Sequence, residues 1–368
     1  MISRRWSLLG VSAILAVGAC LPGCTTGYVV RAGWYQAEML AAREPIDEVL
    51  ERGELSAGQE QRLRLVPSLK RYGQGIGLAA TDNYDSLAVG WDRTVWNVSA
   101  AQALSFENET WWFPVVGRVP YLGYFVEDEA RAEGARLASR GLDVSIRTAG
   151  AYSTLGWFRD PVLPNMLRWS DSQLAETVFH ELAHATLWVP GSVAFNESFA
   201  SFVGDTAARA WLADTYGAAS VEVARWDREQ RDSRRFTEIL HGLYRDLDVM
   251  YRDPSLDDAA RLARKQALYA ELPGRVEASD IEDRASWLAW VARGTWNNAR
   301  LAQFKTYASH EEDFAAVYDG AGRDLGRFMS DVRALTRGAD DPFAALHASA
   351  TRSPRATSSA PTSAAGGD

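Results

Sequence analysis

Apolar residues recur at helical spacing through "YVVRAGWYQAEMLAAREPIDEVLERGELS" (28–56), a run broken at Pro45. A second helical stretch, "SAGQEQRLRLVPSLKRYGQGIGL" (56–78), opens on Ser56, a residue suited to cap a helix start. The pattern then changes. Between 83 and 125, tryptophan, tyrosine, valine and threonine dominate and are interrupted by asparagine and glycine, which predicts short strands and hairpins. "EDEARAEGARLASRG" (127–141) returns to helix, with acidic residues in its first turn and Gly141 at its end. "LDVSIRTAGAY" (142–152) alternates apolar and polar positions and reads as a strand. From Asp171 onward nearly everything has helical periodicity. The expected fold class is α+β, a small mixed sheet region followed by a mainly helical half.

Both ends of the chain differ from this body. Residues 1–24 combine a basic start, an apolar run from Trp6 to Ala19 and small residues before a cysteine, which is the composition of a bacterial secretory signal. The run is too short to span a membrane comfortably. The tail from Ala350 to Asp368 is small, polar and proline-bearing, so it is expected to be disordered. Between them, 25–349 is expected to form one domain, with helices and sheet over 25–169 and a mostly helical part over 170–349.

Composition narrows the function. Hydrophobic residues make up 47% of the chain and there are 14 tryptophans, enough to build a core. The net charge of −9, with no block of basic residues, lacks the electrostatic footprint of a nucleic-acid binder. The two cysteines are Cys20 and Cys24, so the domain itself holds no disulfide, cysteine-ligated metal or thiol nucleophile. "LPGC" (21–24) looks like a lipobox, in which Cys24 would be acylated. "VGAC" (17–20) fits the same pattern, and the polar change that begins at Thr25 favours Cys24. One acylated cysteine would hold the protein at a membrane without a spanning helix. Thr25 does not resemble the acidic signal that retains lipoproteins at the inner membrane, so the expected location is the outer membrane, facing the periplasm.

The strongest chemistry lies in "ETVFHELAHATLW" (176–188), which uses two of only five histidines. On a helix, His180 and His184 share one face, with about 5–6 Å between their Cβ atoms. Each can aim a nitrogen at one ion about 2.0–2.1 Å away, a zinc-ligand distance. Glu181 projects about 100° round the helix from His180. It would stand beside the ion as a base for water. A hydrolytic zinc site needs a third protein ligand. After a break at Pro190-Gly191, "FNESFASF" (195–202) resumes helical periodicity, with Glu197 in its first turn. A chain reversal there would bring Glu197 to the ion. Asn196 reads as a helix cap, and Asp205 as a partner for one of the histidines.

H-E-x-x-H followed by N-E-x-x-A resembles the gluzincin clan of zinc peptidases, with twelve residues between His184 and Glu197, a shorter interval than in the best-known members. Together with the lipobox, "AYSTLGWFRDPVL" (151–163) and "WNNARLAQFKTY" (296–307), this set is similar to the proteobacterial family of predicted aminopeptidases, from about Tyr35 to about Leu335. The resemblance implies a zinc-dependent (Zn2+) peptide hydrolase acting on a peptide substrate, with Glu181 as general base. It also implies an oxyanion-stabilising side chain, for which Tyr152 is the first candidate and Tyr307 the second. Residues 148–156 would be an edge strand that pairs with the extended substrate. An aminopeptidase further needs a carboxylate for the substrate ammonium, and Asp160 is the available guess. His241 reads as structural or solvated, and His310 and His347 lack supporting context. A zinc endopeptidase, a cell-wall peptide amidase and a lipid-anchored periplasmic scaffold are the alternatives. A scaffold would have no use for the base Glu181.

Overall fold

A computed structural model describes residues 24–113, 117–149, 159–307 and 310–351. The described part begins with α1 (Cys24–Ala41), β1 (Arg43–Pro45), α2 (Ile46–Arg52) and α3 (Ala57–Gly75). Short strands follow: β2 (Ser86–Ala88), β3 (Val95–Ala101), β4 (Trp111–Phe113), β5 (Gly117–Val119) and β6 (Leu122–Tyr124). Then come α4 (Glu127–Ala138) and β7 (Asp143–Ala149). A 3-10 turn over Pro164–Arg168 leads into the helical half. This consists of α5 (Asp171–Thr186), α6 (Val193–Tyr216), α7 (Val221–Tyr251), α8 (Asp258–Ala270), α9 (Leu272–Glu277), α10 (Arg284–Val291), α11 (Asn298–Tyr307), α12 (Glu311–Gly320), α13 (Leu325–Thr336) and α14 (Pro342–Ala350). The protein is α+β, mostly helical with small sheets.

Local signals account for several boundaries. Ser56 and Ser170 each form a capping box with the glutamine three residues on, which satisfies amides that the first turn leaves free. Glu127, Asp128 and Glu129 occupy the first turn of α4, where the helix dipole favours negative charge. The sheet is divided into three antiparallel pieces, β1–β2, β6–β3–β7 and β4–β5. β7 is an edge strand, paired along its length with β3 from Val95↔Ala149 to Ala101↔Asp143. Beyond the undescribed stretch 150–158 the chain returns beside β2, where Val162 N–H donates to Ser86 O at 2.8 Å and Val162 O accepts from Ala88 at 3.0 Å.

The largest core joins the first and last thirds of the chain. Leu63, Val66 and Leu69 of α3 meet Leu174, Val178, Phe179 and Leu182 of α5, while Phe195, Phe199 and Val203 of α6 meet Phe314 and Phe328. The helix pair α5–α6 is therefore held between α3 on one side and α12–α13 on the other. Burial, not helix propensity, orders α6. Its Asn196, Ser198, Ser201 and Gly204 each cost several tenths to about 1 kcal/mol relative to alanine. Burying Phe195 and Phe199 completely contributes about 1.5–3 kcal/mol each. A separate core, from Phe236, Leu240, Leu243 and Leu247 of α7 to Leu268, Val276 and Leu301, sits under α8–α11.

One buried hub ties the helical half to the edge strand. Asn298 is fully buried; its Nδ2 donates to the carbonyls of Gln102, Ala103 and Ser105, and its Oδ1 accepts from the hydroxyls of Tyr251 and Tyr269. Its backbone N–H donates to Asp143 at 2.8 Å, and Lys265 donates to the same carboxylate at 2.5 Å. Asn297 adds a bond to Val144 O at 2.8 Å. The "WNNAR" motif thus fastens β7, the strand that leads into 150–158. Arg300 of the same motif lies between the rings of Trp290 and Trp296, 4.8 and 4.0 Å from their centroids.

Candidate metal centre

The capping box at Ser170 starts α5 at Asp171, which places His180, Glu181 and His184 in its last two turns. The carbonyl end of a helix favours a nearby cation. Thr186 holds this end by donating to Leu182 O at 2.7 Å and accepting from the Ala79 amide at 2.8 Å, and Arg333 donates to Thr186 O. The chain then reverses at Pro190-Gly191, where Gly191 has φ of 81°, a conformation that glycine adopts without strain.

The reversal lays α6 along α5 and brings Glu197 to the histidines. His180 Nε2 and His184 Nε2 are 3.1 Å apart, with their rings at 85° to each other. The Glu197 carboxylate oxygens lie 3.5 Å from His180 Nε2 and 3.7 Å from His184 Nε2. Ligands about 2.0–2.1 Å from a tetrahedral ion stand roughly 3.3 Å from one another, and the three observed distances bracket that value. Among the described residues this is the one group of three or more histidine, cysteine or carboxylate side chains able to share an ion.

Electrostatics also suits a metal. Burial pushes the His184 imidazole down to about 4, helped by the charge of His180 and opposed by Glu197, so His184 offers a free lone pair at neutral pH. Burial acts against the His180 proton too, but the Glu197 hydrogen bond and the charges of Glu181, Glu176 and Glu197 outweigh it and hold His180 above its ordinary 6.5. Glu197 is held below its usual range, because His180 and His184 outweigh the penalty of burial. Two nitrogens and one ionised carboxylate are a zinc-type donor set. His180, His184 and Glu197 therefore fit such an ion. Glu181 is half-buried, close enough for its charge to act on His180, and outside the group of three that could hold an ion.

Several expectations need correction or placement. Glu197 is the fifth residue of α6, which starts at Val193 and has no acidic residue in its first turn. It is thus past the free amides, and the histidines, more than the helix dipole, hold its charge. Asn196 is not a cap, because Ser192 occupies that position. The Asn196 side chain is buried and instead clamps Val189, accepting from its N–H at 2.8 Å and donating to its carbonyl at 2.9 Å. This pins the reversal between α5 and α6. Asp205 accepts from Gln230 at 3.4 Å, and burial, with Glu176 and Glu311, raises its carboxyl well above the usual range. Among the described residues, the buried Nδ1 of His184 has no hydrogen-bond partner. Asp160 is buried; its backbone accepts from Tyr84 N–H at 2.7 Å and donates to Asn83 Oδ1 at 3.0 Å. His310 and His347 do have a setting: their Nδ1 atoms lie 2.8 and 2.9 Å from the two oxygens of Asp313, joining α12 to α14. His241 is half-buried on α7. Tyr152 and residues 150–156 of the expected substrate strand lie outside the described residues, as does the side chain of Tyr307. Residues 1–23 and 352–368, with most of the expected signal and tail, also lie outside them.

Four residues of the site went unnoticed in the sequence. A Cβ at Gly204 would lie 3.0 Å from Glu176 O and 3.2 Å from His180 Cβ, so α6 meets α5 where only hydrogen fits. Glu176 stands one turn before His180, and its charge helps to hold the His180 proton; helical spacing would have revealed it. Trp188 is 38% exposed, with its ring 5.7 Å from that of His184. Tyr84 is fully buried at φ of 62°, and its hydroxyl has no hydrogen-bond partner among the described residues. Burial raises its pKa well above 10, and Glu181 adds most among the neighbouring carboxylates. Lys70, which donates to Asn83 O at 2.7 Å and pairs with Asp85, fixes the turn that carries Tyr84.

A family model described as "Putative aminopeptidase" matches residues 27–342. Neither the curated proteins nor the solved structures compared with the chain gave a match.

Proposed function

The chain belongs to the family described as "Putative aminopeptidase", and from this premise we propose that it is a zinc-dependent peptide hydrolase that works from the free amino terminus of its substrate. The observation that carries the reading is the convergence of His180, His184 and Glu197 to within 3.1–3.7 Å, with Glu181 beside them and outside the ligand set. A purely structural zinc site has four protein ligands and no use for an adjacent base.

A bound zinc ion would act as a Lewis acid, acidifying water and polarising the scissile carbonyl. The protein does the rest. Glu181 takes the proton of the attacking water and passes it to the departing nitrogen. Glu197 keeps its charge and balances part of the cation's. Tyr152, with Tyr307 as second candidate, donates a hydrogen bond to the oxygen on which negative charge develops. The edge position of β7 supports a further role for the segment it leads into: residues 148–156 would pair with the extended peptide by backbone hydrogen bonds. This arrangement is that of a gluzincin-like peptidase. Cys24 carries the acyl anchor, and the protein faces the periplasm from the outer membrane.

The test compares peptides of equal length with free and blocked amino termini, using the parent chain and Glu181→Gln. We expect cleavage of the free-amine peptides only, and a loss of about 10²–10⁴-fold in kcat for the variant with zinc still bound. Equal cleavage of blocked peptides would make the enzyme an endopeptidase, and unchanged turnover in Glu181→Gln would remove the mechanism.

A further inference from the structure

The outward face of α1 is not that of a helix built for water. Its inward side is firmly seated. Tyr28 packs against Phe113 and Tyr124 at 5.9 and 5.4 Å between centroids and accepts a hydrogen bond from Gly123 N–H at 3.1 Å. Tyr35 packs on Phe125 at 5.4 Å, and Met39 is fully buried. The exposed positions are Gly27, Val30, Arg31, Trp34, Ala37 and Ala41. Apart from Arg31, which pairs with Glu129 at 3.4 Å, this stripe is uncharged and apolar. A solvent-facing stripe ordinarily carries the helix's charged residues. Here Trp34 is 71% exposed and Val30 42% exposed, one turn apart on the same face.

The position of the stripe indicates what covers it. α1 begins at Cys24, the residue that the lipobox marks for acylation, five positions after the end of the apolar run Trp6–Ala19. At 1.5 Å per residue, Trp34 lies about 15 Å along the helix from that cysteine. A lipid on Cys24 would therefore hold the stripe within reach of the bilayer surface. Tryptophan favours the headgroup layer, where its ring is half in hydrocarbon and its N–H stays wet. No described helix is long and apolar enough to cross a membrane, and α1 carries Arg31 and Glu38.

We propose that α1 lies along the membrane plane with Val30, Trp34 and Ala37 in the interfacial layer of a phospholipid bilayer, so that the anchored enzyme rests on this helix in a fixed orientation. The proposal rests on the reading of Cys24 as the acylated residue and goes beyond it. An acyl chain alone would leave the domain free to swing.

The test uses the full chain, expressed with its N-terminal segment, purified and reconstituted into vesicles of phosphatidylethanolamine and phosphatidylglycerol. Because no cysteine follows Cys24 and Cys20 would leave with the cleaved signal, single replacements Val30→Cys and Ala37→Cys can carry a bimane label, with Glu229→Cys on α7 as the solvent-facing control. The expected result is quenching at 30 and 37 that is several-fold stronger with nitroxide-labelled lipid than with aqueous iodide, and the reverse at 229. An anchored chain in which iodide reaches 30 and 37 as freely as 229 overturns the proposal and leaves the anchor standing. Protection in native membranes that is lost in pure-lipid vesicles also overturns it, in favour of a protein partner. A parent chain that stays in solution, or whose Cys24 takes up label, removes the anchor and the proposal with it.

Discussion

Gly204 sits against His180 so closely that a methyl group on it would meet the imidazole-bearing Cβ at 3.2 Å and the Glu176 carbonyl at 3.0 Å. Glycine within a helix costs about 1 kcal/mol relative to alanine, so an open site would gain stability from Gly204→Ala. The contact reverses that sign. Gly204→Ala is expected to destabilise the protein by about 1–3 kcal/mol through overpacking and to weaken zinc binding about 10–100-fold by displacing His180. Gly242→Ala on α7, where the nearest atoms are arginine side chains at 3.8 and 4.0 Å, is the control and should stabilise by about 0.5–1 kcal/mol. Thermal melts and zinc titrations of the two variants decide the point.

Asn196 makes a second prediction. Its side chain satisfies both the N–H and the carbonyl of Val189. Asn196→Ala leaves these groups without their partner at a cost of about 1–3 kcal/mol. Because they belong to the loop between His184 and Glu197, zinc affinity should fall together with stability. Asn196→Asp, which keeps an acceptor and loses the donor, should lie between the parent and the alanine variant in both measurements.

Metal binding should depend on pH with a unit slope. His180 is held above 6.5 in the metal-free protein, so it carries a proton that zinc must displace. Affinity is therefore expected to fall about tenfold per pH unit as the pH drops below the raised His180 value, and to level off above it. His184, pushed down to about 4, and Glu197, held below its usual range, add no competing proton between about pH 5 and 7. Zinc titrations across that range would contradict the assignment if two protons were released.

Asn298 supports a prediction about the fold. Asn298→Ala removes the bonds to three carbonyls and to the hydroxyls of Tyr251 and Tyr269 in one step. A loss of about 3–5 kcal/mol is expected from denaturant unfolding.

What could be read in the sequence depended on the range of the interaction. The caps at Ser56 and Ser170 and the acidic first turn of α4 are local, and their residues announce them. The histidine pair is equally local, and Glu197 followed from the helix that resumes after Pro190-Gly191. Gly204 and Asn298 act on elements distant in the chain and Asn196 on the loop before its own helix, so their residue types alone say nothing of what they touch. The same holds for His310 and His347, which stand 37 positions apart and meet only through Asp313. The division of the strands into three small sheets depends on pairings such as Arg43 with Ala88, which alternation does not reveal.

The central claim is that His180, His184 and Glu197 hold one catalytic ion, and the metal content of the purified chain tests it most directly. Measured by elemental mass spectrometry, the parent chain and Glu181→Gln are expected to carry one zinc per chain, while His184→Ala and Glu197→Gln are expected to carry none. A parent chain without bound metal, or a Glu197→Gln chain that keeps its full complement, would contradict the account.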